Sequence, residues 1–163
     1  MAITENHPLS LTFQSKSLIL LTTKVLVLSL LDIMQDNEAD FTLTFRGLCE
    51  AALSPKLEDS LRHLFKDAGA YNKWATNWRV CMSREAKVPD DRLELMHQAN
   101  PAVIPRNHRI EQAIEAAVDQ EDYGPFEKLL EVLSSPYKEL EGLREYMLHP
   151  KPEEHVLQTF CGT

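Results

Sequence analysis

The stretch "NPAVIPRNHRIEQAIEAAV", residues 100–118, decides the fold class. Pro101 and Pro105 make a stiff elbow, and Arg106, His108 and Arg109 make it basic in an otherwise acidic chain. The residues that follow repeat at helical spacing. Ile110, Ala113, Ile114, Ala117 and Val118 share one face, which predicts an amphipathic helix with that face buried. Asn107 is the best N-cap candidate, placing Ile110 third in the helix. Glu111 comes one residue late for a capping box but still favours the helix dipole.

Helical patterns continue on both sides. "GPFEKLLEVLSSPY" starts at Gly124 and Pro125, packs through Phe126, Leu129, Leu130 and Leu133, and stops at Ser134–Pro136. Glu139 to Leu148 reads as a short final helix, and 149–163 as an extended tail. Upstream, Val25–Gln35 is helical and strongly apolar, whereas residues 1–24 read as a poorly ordered segment. Asp40 is a plausible N-cap for a helix carrying Phe41, Phe45, Leu48 and Leu53. The alternation of Phe41, Leu43 and Phe45 makes a strand the rival reading, but the run continues into "GLCEAAL" without turn residues. Ser54 and Pro55 open a helix with Leu57, Leu61, Leu64 and Phe65 on one face, which "DAG" at 67–69 ends. Tyr71, Trp74, Trp78, Cys81 and Met82 stripe the next; two tryptophans there read as core before ligand platform. Val88–Asp91 forms a turn before "DRLELMHQ", another short helix. The expected architecture is all-α, about six short helices with an extended C-terminal tail.

Composition narrows the function. The chain has 163 residues, enough for one domain with a real core. Its formal net charge of -8 argues against broad attraction to nucleic acid or an anionic membrane. "SLILLTTKVLVLSLL", residues 17–31, carries Lys24 and is shorter than the ~20 apolar residues a span requires, so it reads as a buried helix. It also lacks a signal-peptide cleavage site. Cys49, Cys81 and Cys161 are scattered without a CxxC or zinc spacing, which fits a reducing cytosolic setting.

Chemistry-bearing patterns are few. Neither GxGxxG nor GxxxxGK[ST] occurs, nor HExxH. Arg106, His108 and Arg109 are the best polar cluster. A helix N-terminus favours anions, so a phosphate site is one reading. Basic side chains there oppose the dipole, so a compensating partner, most simply a carboxylate, is the preferred one. Cys161, in "QTFCGT", is an accessible thiol by position and an ordinary one by composition.

The ordered set "NEADFTLTFRGL", the Trp74/Trp78 helix, "NPAVIPRNHRIEQAIEAAV", "YGPFEKLLEVLSSPY" and terminal "TFCGT" resembles the C-terminal region of the selenoprotein O family, also called the YdiU family. The resemblance covers residues 30–163. It implies the helical C-terminal part of a protein-kinase-like fold and an intact enzyme that transfers AMP from ATP to protein hydroxyl groups. ATP and Mg or Mn are the cofactors so implied, in bacterial cytosol or mitochondria. Cys161 stands where that family often carries cysteine or selenocysteine, which implies a redox-linked thiol. The family's nucleotide- and metal-binding residues lie in a core onto which nothing in this chain maps. Expected, then, is a C-terminal fragment, 25–148 with its tail, catalytically silent alone, with no cofactor of its own. Its partner is the missing kinase-like core or another protein, and neither nucleic acid nor membrane. Arg106, His108 and Arg109 become a core-docking elbow, and some surface should be abnormally apolar or basic. A stand-alone helical interaction module and a thiol redox element through Cys161 are the alternatives.

Overall fold

The regular backbone structure in the computed structural model, which describes residues 8–84 and 89–156, is helical. The side chains of 8–22, 55, 57, 59, 60, 89 and 90 are outside that description. In chain order the helices are α1 (Pro8–Asn37), α2 (Phe41–Ala51), α3 (Asp59–Arg62), α4 (Ala68–Met82), α5 (Pro89–Ala99), α6 (Asn107–Gln120) and α7 (Gly124–Leu133). Short 3-10 turns occupy Pro55–Glu58, Arg144–Tyr146 and Pro152–Glu154. The described residues contain no strand, so the all-α class expected from the sequence is found.

Local chemistry explains the departures. Helix α1 starts at Pro8, inside the segment expected to be poorly ordered. Proline is tolerated in a first turn, and no glycine or proline follows until Gly47. A helix apolar on several faces carries little period, which is why periodicity missed its first half. Asp40 caps α2 as expected, its Oδ1 accepting from the Leu43 N–H at 2.8 Å. The face it buries is different: Thr44, Arg46, Leu48 and Cys49 go inward, while Phe41 is 61% exposed. Ser54 closes a tight turn, accepting from the Lys56 N–H at 3.3 Å, so the single helix expected there becomes a 3-10 turn and the one-turn α3. Asp67 starts α4 where it was expected to end a helix; its Oδ1 accepts from the Gly69 N–H at 2.8 Å. The expected turn at Val88–Asp91 lies in α5 from Pro89 on, and Val88 is outside the described residues. The final helix expected over Glu139–Leu148 shrinks to Arg144–Tyr146, because Gly142 takes a left-handed φ of 77°.

Two compact units divide the chain, one built from the chain up to Ala39 with the stretch from Phe65 through α4, the other from Asp40–Leu64 with the chain from α5 on. In the first unit α4 packs on α1. The Trp74 indole N–H donates to the Leu26 carbonyl at 2.9 Å, and Asn37 Oδ1 accepts from the Asp67 N–H at 2.6 Å. Phe65, Tyr71, Trp74 and Trp78 form a ladder, with Phe65–Tyr71 centroids 4.9 Å apart and Trp74–Trp78 centroids 5.6 Å apart. Tyr71 and Trp74 are buried, as expected of a core face, whereas Trp78 is half-buried. Among the described residues no helix is long and apolar enough to cross a membrane.

In the second unit α2 lies against α3 and α5, and α6 against α7. Gly47 permits the close approach of α3: a Cβ there would stand 2.8 Å from Leu61 Cδ1, and Leu61 is buried. A small core gathers Ala102, Val103, Val132 and Leu143.

Trp74→Phe should lower the unfolding free energy by about 1–3 kcal/mol, because the Leu26 carbonyl keeps its helix bond but the indole volume and N–H are lost. Trp78→Phe should cost less; chemical denaturation of both variants compares them. Glu121 sits at a left-handed φ of 54° at the end of α6, so Glu121→Gly should raise stability by about 1 kcal/mol in the same assay.

Candidate docking site at the elbow

Residues 101–106 cannot be helical because the prolines withhold N–H groups and extend their predecessors. The structure uses this extended piece as a brace. The Ala102 and Val103 N–H groups both donate to the Pro136 carbonyl, at 2.8 and 3.1 Å, and their side chains fill the small core. Helix α6 begins one residue earlier than the Asn107 cap would require. Arg106 is the N-cap, with extended backbone and no side-chain cap bond. Its guanidinium is committed elsewhere.

That commitment is to Asp40. Arg106 NH1 donates to Asp40 Oδ2 at 2.7 Å and NH2 to Oδ1 at 3.3 Å; NH2 also donates to the Met147 carbonyl at 3.0 Å. Arg106 is 8% exposed. The carboxylate partner preferred from the sequence is therefore present within the chain. Arg109 behaves similarly. It donates to Gln112 Oε1 at 2.9 Å and the Glu145 carbonyl at 3.1 Å, and lies over the Tyr146 ring at 5.4 Å. Arg46, which the sequence reading did not single out, ties α2 to both flanks of the elbow. It donates to the Asn100 carbonyl at 3.2 Å and pairs with Glu139 at 3.2 Å. An arginine among apolar helix residues was the available signal.

Two elbow groups have shifted proton affinities. Burial pushes the Asp40 carboxyl up, but the Arg106 hydrogen bonds, the Leu43 N–H, the Arg106 charge and His149 together outweigh it, holding it below its ordinary 3.8. His108 is 4% exposed, and its Nε2 has no hydrogen-bond partner among the described residues. Burial first, then the charges of Arg109, Arg106 and His149, lower its pKa below 6.5 against the opposing pull of Glu154. His108 is thus a neutral ring at neutral pH, unsuited to hold an anion by charge.

The exposed feature of this unit is apolar. Helices α6 and α7 flank a groove of about 510 Å³ lined by Ile110, Ile114, Ala117, Phe126, Leu130 and Leu133 among others. Ile114 and Val118, expected to be buried, are 50% and 73% exposed, while His108, Ala113 and Ala116 take the inner face. Leu130 is 53% exposed. The sequence pattern marked these as one face and assumed a cover for it.

Of the remaining candidates, Cys49 is fully buried and burial raises its thiol pKa, which makes it unreactive; Cys81 is half-buried. Cys161 lies outside the described residues. No three His, Cys, Asp or Glu side chains among the described residues are grouped to hold a metal ion.

The family model described as "Protein adenylyltransferase SelO" matches residues 9–134. The chain belongs to this family. The match begins within the segment that the sequence reading left unmatched. A protein of Rhizobium johnstonii called "Protein nucleotidyltransferase YdiU" is 49% identical over 138 residues, covering 85% of this chain. Proteins of the same name from Rhizobium meliloti and Rhodopseudomonas palustris are 47% and 48% identical over 138 and 130 residues. The matched part is 28% of the first two relatives and 26% of the third, so the chain spans little more than a quarter of their length. The selenoprotein O resemblance read from the motifs is borne out.

Asp40→Ala should destabilise the protein by about 3 kcal/mol or more, since it removes a cap and strands a buried guanidinium. Asp40→Asn keeps a capping oxygen, so calorimetry should place it between Asp40→Ala and the parent. Both shifted groups bind protons more weakly when folded, so stability falls as pH falls. The His108 contribution is complete above pH 6.5 and declines below it; the Asp40 contribution declines below 3.8, as pH approaches its lower folded pKa. His108→Gln should flatten the first decline and leave the second, read as urea midpoint against pH.

Proposed function

We propose that these residues form the C-terminal helical part of a protein adenylyltransferase, within a kinase-like fold. ATP and a divalent metal, Mg or Mn, are held by the remainder of the protein, and AMP passes there to hydroxyl groups of protein substrates. The observation that carries this reading is the coverage: 49% identity over 85% of this chain but over 28% of the relative. The role of the chain is then scaffolding, and its partner is the rest of the same enzyme, in a cytosolic setting. The open α6–α7 groove supports the reading, because a concave apolar face between two helices is a surface on which another element of the same protein can pack.

Titration of the purified chain with ATP in the presence of Mg or Mn should give no binding heat. Incubation with α-labelled ATP and a generic protein acceptor should leave the acceptor unlabelled. AMP transfer by the chain alone would overturn the proposal.

A further inference from the structure

Exposed acids recur along the two helices that line the apolar α6–α7 groove. On α6, Ile110, Ile114 and Val118 are each followed by an exposed acid, Glu111, Glu115 and Asp119. On α7, Phe126 and Leu130 are followed by exposed Glu127 and Glu131. Residues three apart are neighbours about 60° apart on a helix, so Glu111 beside Ile114 and Glu127 beside Leu130 border the groove's apolar stripe, whereas Asp119 stands on the far side of α6. Glu121 and Asp122 add two more acids in the connection. The one cation from Glu111 to Leu133 is Lys128, and it is engaged with Glu131 at 2.9 Å.

We propose that this groove holds an amphipathic helix whose apolar face is bordered by lysines or arginines, supplied by the part of the full-length adenylyltransferase outside these residues. The inference rests on the proposed function and specifies the chemistry of its partner. Apolar lining gives affinity, and the acid borders select basic flanks and repel acidic ones. The length is suitable: α6, at 14 residues, is about 21 Å long, enough to line three to four turns of a partner helix. A second copy is a poorer occupant. Each copy carries a formal charge of -8, and the exposed apolar run at Val25, Val27 and Leu28 has Lys24 on one side but leads into Asp32 and Asp36 on the other. The other portion of the relatives, close to three quarters of their length, is ample to supply a helix.

Two experiments test this. In the full-length Rhizobium johnstonii relative, a photo-cross-linking residue at the position matching Leu130 should join, within one molecule, a helix outside the matched region that carries Lys or Arg beside its apolar face. A cross-link between molecules, to an acid-bordered segment, or to no protein at all would overturn the inference. On the 163-residue chain itself, the probe is a synthetic helical peptide as long as α6, with leucines at three-and-four spacing bordered by lysines. By calorimetry it should bind at least about tenfold tighter than the same peptide bordered by glutamates, an advantage that added salt reduces. Leu130→Asn, at an exposed position, should abolish its binding while leaving the fold intact by circular dichroism. Equal affinity for the two peptides, or unchanged binding to Leu130→Asn, would sink the idea. Self-association in sedimentation that Leu130→Asn dissolves would assign the groove to a second copy and overturn it too. The peptide result does not depend on catalysis, so it can fail while the adenylyltransferase reading stands, and the reverse.

Discussion

The Arg106–Asp40 ion pair is the constraint on which the second unit depends. One carboxylate performs two tasks: it caps α2 through the Leu43 N–H and receives both terminal nitrogens of Arg106. The start of α2 and the start of α6 are thereby fixed to each other across 66 residues of sequence. A buried charge pair of this kind is weak as a source of net stability, since desolvation offsets most of the attraction. Its strength is in excluding alternatives, because any packing that separates the partners leaves an uncompensated charge inside. Arg46 adds a second tie, reaching the Asn100 carbonyl and Glu139 on either side of the same brace. The elbow is thus a joint held by charge on one side and by the Ala102–Val103 core on the other.

Commitment of the cations inward leaves the outward face of α6 and α7 to apolar side chains. Burying a side chain such as Ile114 or Leu130 is worth about 1.5–3 kcal/mol, and half or more of that remains unrealised at each of these two positions. The inner face of α6 is made instead from His108, Ala113 and Ala116, small or polar residues that let α6 sit close to its neighbours. A helix with alanines inside and isoleucine outside is inverted relative to an isolated globular helix. Within this unit α6 makes its contacts through that small-residue face, and its larger apolar side chains line the open groove instead.

Helix identity was legible in the residues themselves. The stripe of α6, the Gly-Pro start and Ser-Ser-Pro stop of α7, the Asp40 cap and the aromatic face of α4 all act over three or four residues, which is the range a periodic pattern reports. The family was legible too, because several such segments in fixed order are far more specific than any one. What failed was local in a different sense. Asp67 offers the same oxygen to a preceding or a following helix, and its choice of the Gly69 N–H is settled only by folding.

The sequence alone determined an all-α chain, a stiff proline elbow and membership of an adenylyltransferase family, because dihedral limits, helical period and ordered motifs are all properties of neighbouring residues. Only the tertiary structure decided that Arg106 meets Asp40, that His108 is buried and neutral, and that Ile114 and Leu130 face outward. Those outcomes depend on which charge and which surface come within a few ångströms of each other after folding, and no spacing along the chain encodes that distance.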